Sequence, residues 1–336
     1  MMQYGVIDGL GIGLGACAVT ILSGVPILGW LRRNGVRQNV SVDAPERHAA
    51  KQGTPTMGGL MVSTGFVAGV LLWAALGGMT ASGWILCCTV AVFGLIGLLD
   101  DVLIIRRGRN LGLGSRSKLL LQFVAAIGVI TAAYLRAPRP VLETVLGVSI
   151  TWPFAPLAVI WIVGLSNATN LADGLDGLTP GMASIALFGT GVSVYASGGD
   201  HALGATTLAL AGACAGFLWY NVHPAQVFLG NTGALALGAF LAVQGVLAGA
   251  IGTVLVATAM FWVETLSVIA QVLVFKHRRR RHGVEYARGH RLLRRAPLHH
   301  HFEEIGWPET RVVGRFCLIT LLCSGSAIIL AGLGWT

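Results

Sequence analysis

The chain has 336 residues, 54% hydrophobic and only 11% charged, with a net charge of +9 and a mean hydropathy of +0.74. A soluble protein of this size carries roughly a quarter charged residues, so this composition excludes one. Runs of about 20 apolar residues point to helices crossing a bilayer, and no ten-residue alternating pattern supports a transmembrane β-barrel.

The first apolar stretch, 5–31, is too long for a signal-peptide core and lacks a basic leader, so it reads as a retained first span. Further stretches follow at 58–78, 84–105, 118–136, 152–166, 181–198, 202–219, 232–250, 252–275 and 312–335. The expectation is an all-α polytopic membrane protein of about ten spans, one integral-membrane domain over 1–336. The 47 glycines suit close helix approach. The six cysteines all fall in apolar stretches without metal-type spacing and are expected to be packing residues.

Ten spans put the loops at about 32–57, 106–117, 167–180, 220–231 and 276–311 on one side. Segments 32–57, 106–118 and 276–311 hold 20 of the 23 Lys and Arg. That bias predicts a cytosolic position for these loops and both termini outside. Attraction to anionic membrane lipids accounts for much of the basic charge, and no nucleic-acid partner is expected.

Ten of the fourteen acidic residues share that side, although topology does not require them there. Asp100 and Asp101 follow the apolar run Val92–Leu99 at the membrane boundary. Adjacent carboxylates repel there and are poorly solvated, so a cation is the expected relief, whether a metal or Arg106, Arg107 or Lys118. The next loop, read from Asn167 to Leu178, sets Asn170, Asp173 and Asp176 among Gly174 and Gly177. Amides and carboxylates between glycines suit a nucleoside or a metal–phosphate complex. The following loop carries Asn221, His223, Phe228 and the Gly230-Asn231-Thr232-Gly233 turn, with Asn231 or Thr232 a helix cap. The last loop carries His299, His300 and His301. Consecutive residues point different ways on a helix, which disfavours a three-histidine metal site and leaves phosphate contacts as the functional reading. Glu264 is the one buried-looking acid in a span and is expected to pair within the bundle. Oxygen ligands favour magnesium, and basic groups would hold the remaining phosphate charge. Together these describe phosphoryl transfer on one membrane face.

The motifs Asp43-Ala44-Pro45-Glu46-Arg47-His48, Lys51-Gln52-Gly53-Thr54-Pro55-Thr56-Met57-Gly58-Gly59, Gly97-Leu98-Leu99-Asp100-Asp101, Asn170–Leu178, Asn221–Gly238 and Ala296–Glu303 occur in that order over nearly the whole chain. In this the sequence resembles the phospho-N-acetylmuramoyl-pentapeptide transferases of the polyprenyl-phosphate hexose-1-phosphate transferase superfamily. The resemblance implies transfer of phospho-MurNAc-pentapeptide from UDP-MurNAc-pentapeptide to undecaprenyl phosphate in the bacterial inner membrane, giving lipid I and UMP. It also implies Mg2+ dependence, ten spans, and a dimer as the common state. Asp100, Asp101 and Asp173 match catalytic positions, with Asp100 and Asp101 near the metal and the lipid phosphate. Thr56, Asn170, Asp176, Asn221 and Phe228 match substrate-binding positions, the last three at the uridine. Lys51, Lys118 and His299, His300 and His301 match diphosphate and sugar contacts. The position of Asn231 is a magnesium-binding aspartate in the family, so this site is one negative charge short, and Ala234 replaces a usual serine. Two alternatives remain at this level: transfer of another UDP-sugar such as UDP-GlcNAc, or a catalytically weakened paralogue.

Overall fold

The structure is a computed structural model describing residues 5–37, 51, 53–107, 112–136, 142–145, 148–150 and 155–334. The Asp43–His48 motif, Gln52, Arg109 and Arg139 lie outside the described residues. Thirteen helices follow in order: α1 (Val6–Arg33), α2 (Gly59–Ala75), α3 (Ala81–Arg107), α4 (Ser115–Arg136), α5 (Ala155–Ala172), α6 (Leu178–Ala196), α7 (His201–Asn221), α8 (Gly230–Leu247), α9 (Ile251–Ala257), α10 (Ala259–His282), α11 (Val284–Gly289), α12 (Leu298–Glu304) and α13 (Glu309–Gly332). Among the described residues nine are long and apolar enough to cross a membrane, and α2, at 17 residues, is a shorter apolar helix. Between α4 and α5, β1 (Leu142–Val145) pairs antiparallel with β2 (Val148–Ile150), a small two-stranded sheet beside the helices of the described residues.

The bundle centre is α7 and α8, buried along most of their length, with α1, α2 and α6 on α7 and α3 and α5 on α8. Small residues set these distances. A Cβ on Gly97 would run into the Asn231 backbone, so α3 can lie directly on the start of α8. That contact brings Asp100 and Asp101, in the last two turns of α3, to the α8 N-terminus.

Three expectations change. The stretch 252–275, read as one continuous span, is interrupted at Thr258, which is at once the C-cap of α9 and the N-cap of α10. Short α9 packs in the bundle against α6, α8 and α13, while α10 leaves it for α5, α12 and α13 and keeps an exposed apolar face at Leu266, Ile269 and Leu273. The charged end is also helical: Lys276 to Arg281 complete α10, so the expected loop 276–311 begins only after His282. Likewise α5 runs to Ala172, placing Asn167 and Asn170 on a helix and leaving residues 173–177 as the turn.

Candidate active site

The helix ends that the sequence assigned to one side do converge, in three connected groups around the turn 173–177. The first group joins α3, α4, α5 and α8. Asp100 accepts from the Leu113 N–H at 2.6 Å and from Lys118 Nζ at 2.9 Å. Lys118 also donates to Asn170 Oδ1 and Asn231 Oδ1, both at 3.2 Å, and Asn170 Nδ2 donates to Asn231 Oδ1 at 2.7 Å. Asp101 points the other way. Its Oδ1 accepts from the Asn231 backbone at 3.1 Å and from Asn231 Nδ2 at 2.9 Å; its Oδ2 accepts from the Thr232 backbone at 2.9 Å and Thr232 Oγ1 at 2.7 Å. Four donors and the positive end of α8 hold this buried carboxylate. The two adjacent acids therefore avoid repulsion by separate means: Lys118 relieves Asp100, and α8 relieves Asp101. Gly230 makes the fit possible, with φ +74° and no room for a Cβ between Asp101 Oδ2 and Thr56 Oγ1.

Asp173 lies beside this group and accepts from the Gly230 N–H. Burial, reinforced by the charges of Asp101 and Asp176, pushes its carboxyl from 3.8 up to about 7. A carboxyl raised in this way keeps its proton in the fold after the unfolded chain has lost it, so stability falls as pH rises from about 4 to about 7. Asp173→Asn removes the ionisation. Its thermal midpoint is expected to exceed the native one at pH 8 by roughly 2–4 °C, the effect of about 1 kcal/mol, and to match it near pH 4. An equal difference at both pH values would contradict this origin.

The second group surrounds Asp176. Its Oδ1 lies 2.8 Å from Lys51 Nζ, and its Oδ2 accepts from the Ala225 N–H at 3.1 Å and lies 3.1 Å from His223 Nδ1. Glu309, at the start of α13, accepts from Lys51 Nζ and from the Asp176 N–H, both at 2.6 Å. Asp176, His223 and Glu309 carry ligand-type atoms within 4.8 Å of one another, a grouping that could hold a cation. The Lys51 ammonium already supplies that cation. Burial would lower Lys51, but its hydrogen bonds to Asp176 and Glu309 outweigh this and raise it, so it stays charged. Next to them Asn221 is a buried clasp, accepting from Gly177 N–H at 3.0 Å and donating to Val227 O at 2.8 Å. Half-buried Phe228 is tied to the 53–59 segment through Phe228 N–H to Pro55 O and Gly58 N–H to Phe228 O, both at 2.8 Å.

The third group is α12. The three histidines diverge, as helical geometry requires. His299 is buried and its Nδ1 lies 3.0 Å from Glu264 Oε2. His300 pairs with Glu303 at 2.7 Å, and burial lowers its pKa despite that partner. His301 Nδ1 accepts from the Arg294 N–H at 3.1 Å. His299 reaches the central turn, with Nε2 against Gly174.

Twelve of the fourteen expected site residues lie in or beside the first two groups or against the central turn, while His300 and His301 pair with Glu303 and the Arg294 N–H. Glu309 and His223 join the site without having been singled out for it. Glu309 follows Trp307-Pro308 and reads as an ordinary acidic helix start.

The oxygen donors around Asp100 match magnesium in type. Asp100 is a carboxylate, and Asn231 offers a carbonyl oxygen, although Lys118 and Asn170 now donate to it. Residues 83–249 match the family described as Glycosyl transferase family 4. Over most of its length the chain is similar to proteins named phospho-N-acetylmuramoyl-pentapeptide-transferase. That of Gemmatimonas aurantiaca is 41% identical, covering 92% of this chain and 89% of the relative. Those of Oceanobacillus iheyensis and Thermosynechococcus vestitus are 37% and 40% identical, covering 91% of this chain in each case and 93% and 82% of the relatives. With acidic, amide and basic groups on one face of a helical membrane bundle, and these relatives aligned nearly end to end, the chain belongs to the phospho-N-acetylmuramoyl-pentapeptide-transferase family.

Proposed function

We propose that this protein transfers phospho-MurNAc-pentapeptide from UDP-MurNAc-pentapeptide to undecaprenyl phosphate, producing lipid I and UMP, the first membrane step of peptidoglycan synthesis. The observation that carries the reading is the 173–177 turn, set between the Asp100–Lys118–Asn231 group and the Lys51–Asp176–Glu309 group. One side offers charge control for a reacting phosphate, the other a polar pocket with an aromatic neighbour for a nucleoside. Basic residues at the ends of α1, α3 and α10 support placing this face in the cytosol, with both termini outside.

In this reading the lipid phosphate enters beside Asp100 and attacks the sugar-linked phosphorus in line, expelling UMP. A phosphate monoester is largely dianionic at pH 7, since its second pKa is near 6. Asp100 therefore acts chiefly by positioning the nucleophile or taking a residual proton, and Lys118 balances charge between Asp100 and the incoming phosphate. Asp100 and the Asn231 carbonyl would hold magnesium, which when bound supplies charge neutralisation at the diphosphate, with Asp173 catalytic beside them. Asp101 holds α8 in place, and with it Asn231. Asp176, Asn221 and Phe228 receive the uridine, while Lys51 trades its carboxylate partners for phosphate oxygens.

The test is turnover by purified protein in detergent with both substrates. UMP release is expected only when undecaprenyl phosphate and magnesium are both present. UMP release or a covalent phosphosugar adduct without lipid would overturn the direct displacement; turnover of UDP-GlcNAc in preference to the muramoyl substrate would overturn the substrate assignment.

A further inference from the structure

Glu264 is fully buried in α10, and a carboxylate in a membrane-spanning helix is costly unless it serves a purpose. Both of its oxygens go to one residue. Oε1 accepts the His299 backbone N–H at 3.1 Å, and Oε2 lies 3.0 Å from His299 Nδ1. With Glu264 ionised, both of its oxygens only accept hydrogen bonds and Nδ1 carries the proton. In the neutral ring that leaves the lone pair on Nε2. This atom is buried, and among the described residues it has no hydrogen-bond partner. It abuts Gly174, and a Cβ there would overlap it. The ring is thus held from behind by a carboxylate, with its open nitrogen delivered to the turn between Asp173 and Asp176. A tie between α10 and α12 accounts for both carboxylate oxygens, but not for a buried, unpartnered Nε2 set against the turn.

We propose that Glu264 is a positioning residue. It fixes His299 as the Nδ1–H tautomer so that Nε2 accepts a hydrogen from a hydroxyl or amide of the phosphosugar. This rests on the transferase reading above, and it assigns a role to an acid remote in sequence from every motif of the site. The logic matches that of a carboxylate orienting a histidine in hydrolase triads, where loss of the carboxylate charge yields the wrong tautomer.

Glu264→Gln is the discriminating change, because glutamine has nearly the same shape but only one acceptor oxygen. With that oxygen taken by the His299 N–H, the amide donates to Nδ1 and forces the proton onto Nε2. In 15N-histidine spectra, with His299 assigned by its loss in His299→Gln, native protein is expected to show a bare Nε2 that responds to added UDP-MurNAc-pentapeptide. Glu264→Gln is expected to show Nε2–H and a loss of about 10–100-fold in kcat/KM for that substrate, the usual range for orienting partners. The KM for undecaprenyl phosphate is expected to stay unchanged, and Glu264→Asp, which keeps two acceptors, to recover part of the loss. A native His299 protonated on Nε2, or one insensitive to the UDP substrate, overturns the proposal, and neither measurement requires the variant to fold. Native kcat/KM in a folded Glu264→Gln overturns it too. Absence of turnover in native protein would instead count against the transferase reading, while the tautomer and its response to the nucleotide substrate still decide this one.

Discussion

Asp100→Asn is expected to lower kcat by about 10²–10⁴-fold, the range for removing a group that positions or deprotonates a nucleophile, while the protein stays folded. The side chain keeps its size, and its remaining carbonyl can still accept from either Leu113 or Lys118. What disappears is the negative charge opposing Lys118. That ammonium then has only the neutral oxygens of Asn170 and Asn231 beside it. A lipid phosphate entering such a site would pair with Lys118 as a bound anion instead of being held for attack. The expected signature is therefore a collapse in kcat with KM for undecaprenyl phosphate unchanged or lower. Asp101→Asn should behave differently, because Asp101 accepts four hydrogen bonds at the α8 N-terminus and its loss loosens the fold there. A drop in thermal midpoint for Asp101→Asn but not for Asp100→Asn would separate the two roles. Equal kcat in native and Asp100→Asn protein would remove Asp100 from the mechanism.

That division between neighbours shows what the sequence can and cannot carry. Two carboxylates at a membrane boundary announce an electrostatic problem, and Lys118 was among the cations that could relieve it. Which acid meets which partner depends on adjacent residues pointing about 100° apart on a helix, and on α3 lying on α8 at Gly97. Neither partner choice is encoded locally. The divergence of His299, His300 and His301 was legible for the converse reason, since helical geometry alone decides it. The break at Thr258 was not legible, because apolar residues run through it without proline or glycine. Glu264 was visible as a costly buried acid, but its partner lies 35 residues away. Glu309 was hidden by being an unremarkable residue at a helix start, although it braces both Lys51 and the Asp176 backbone.

Asn231 stands where the resemblance implies a magnesium-binding aspartate, and the structure shows what an asparagine does there. Its amide donates to Asp101 Oδ1 at 2.9 Å, while its carbonyl takes Lys118 and Asn170. An aspartate there would set a second carboxylate oxygen against Asp101, an arrangement that needs an additional cation. The asparagine closes the network without one. Asn231→Asp is therefore expected to lower the thermal midpoint in chelator and to recover it on adding magnesium. The concentration of magnesium giving half-maximal turnover should fall by roughly tenfold or more. A unit charge at 4 Å contributes up to about 4 kcal/mol at an effective dielectric near 20, and about a third of that already gives tenfold. Lys118 sets the limit, because a more negative position 231 also holds that ammonium more tightly against the incoming ion. Asn231→Asp combined with Lys118→Gln should then bind magnesium more tightly still, yet turn over more slowly for want of the lysine. If the magnesium dependence of Asn231→Asp matches that of the native protein, position 231 is not a ligand here, and Asp100 must hold the ion without it.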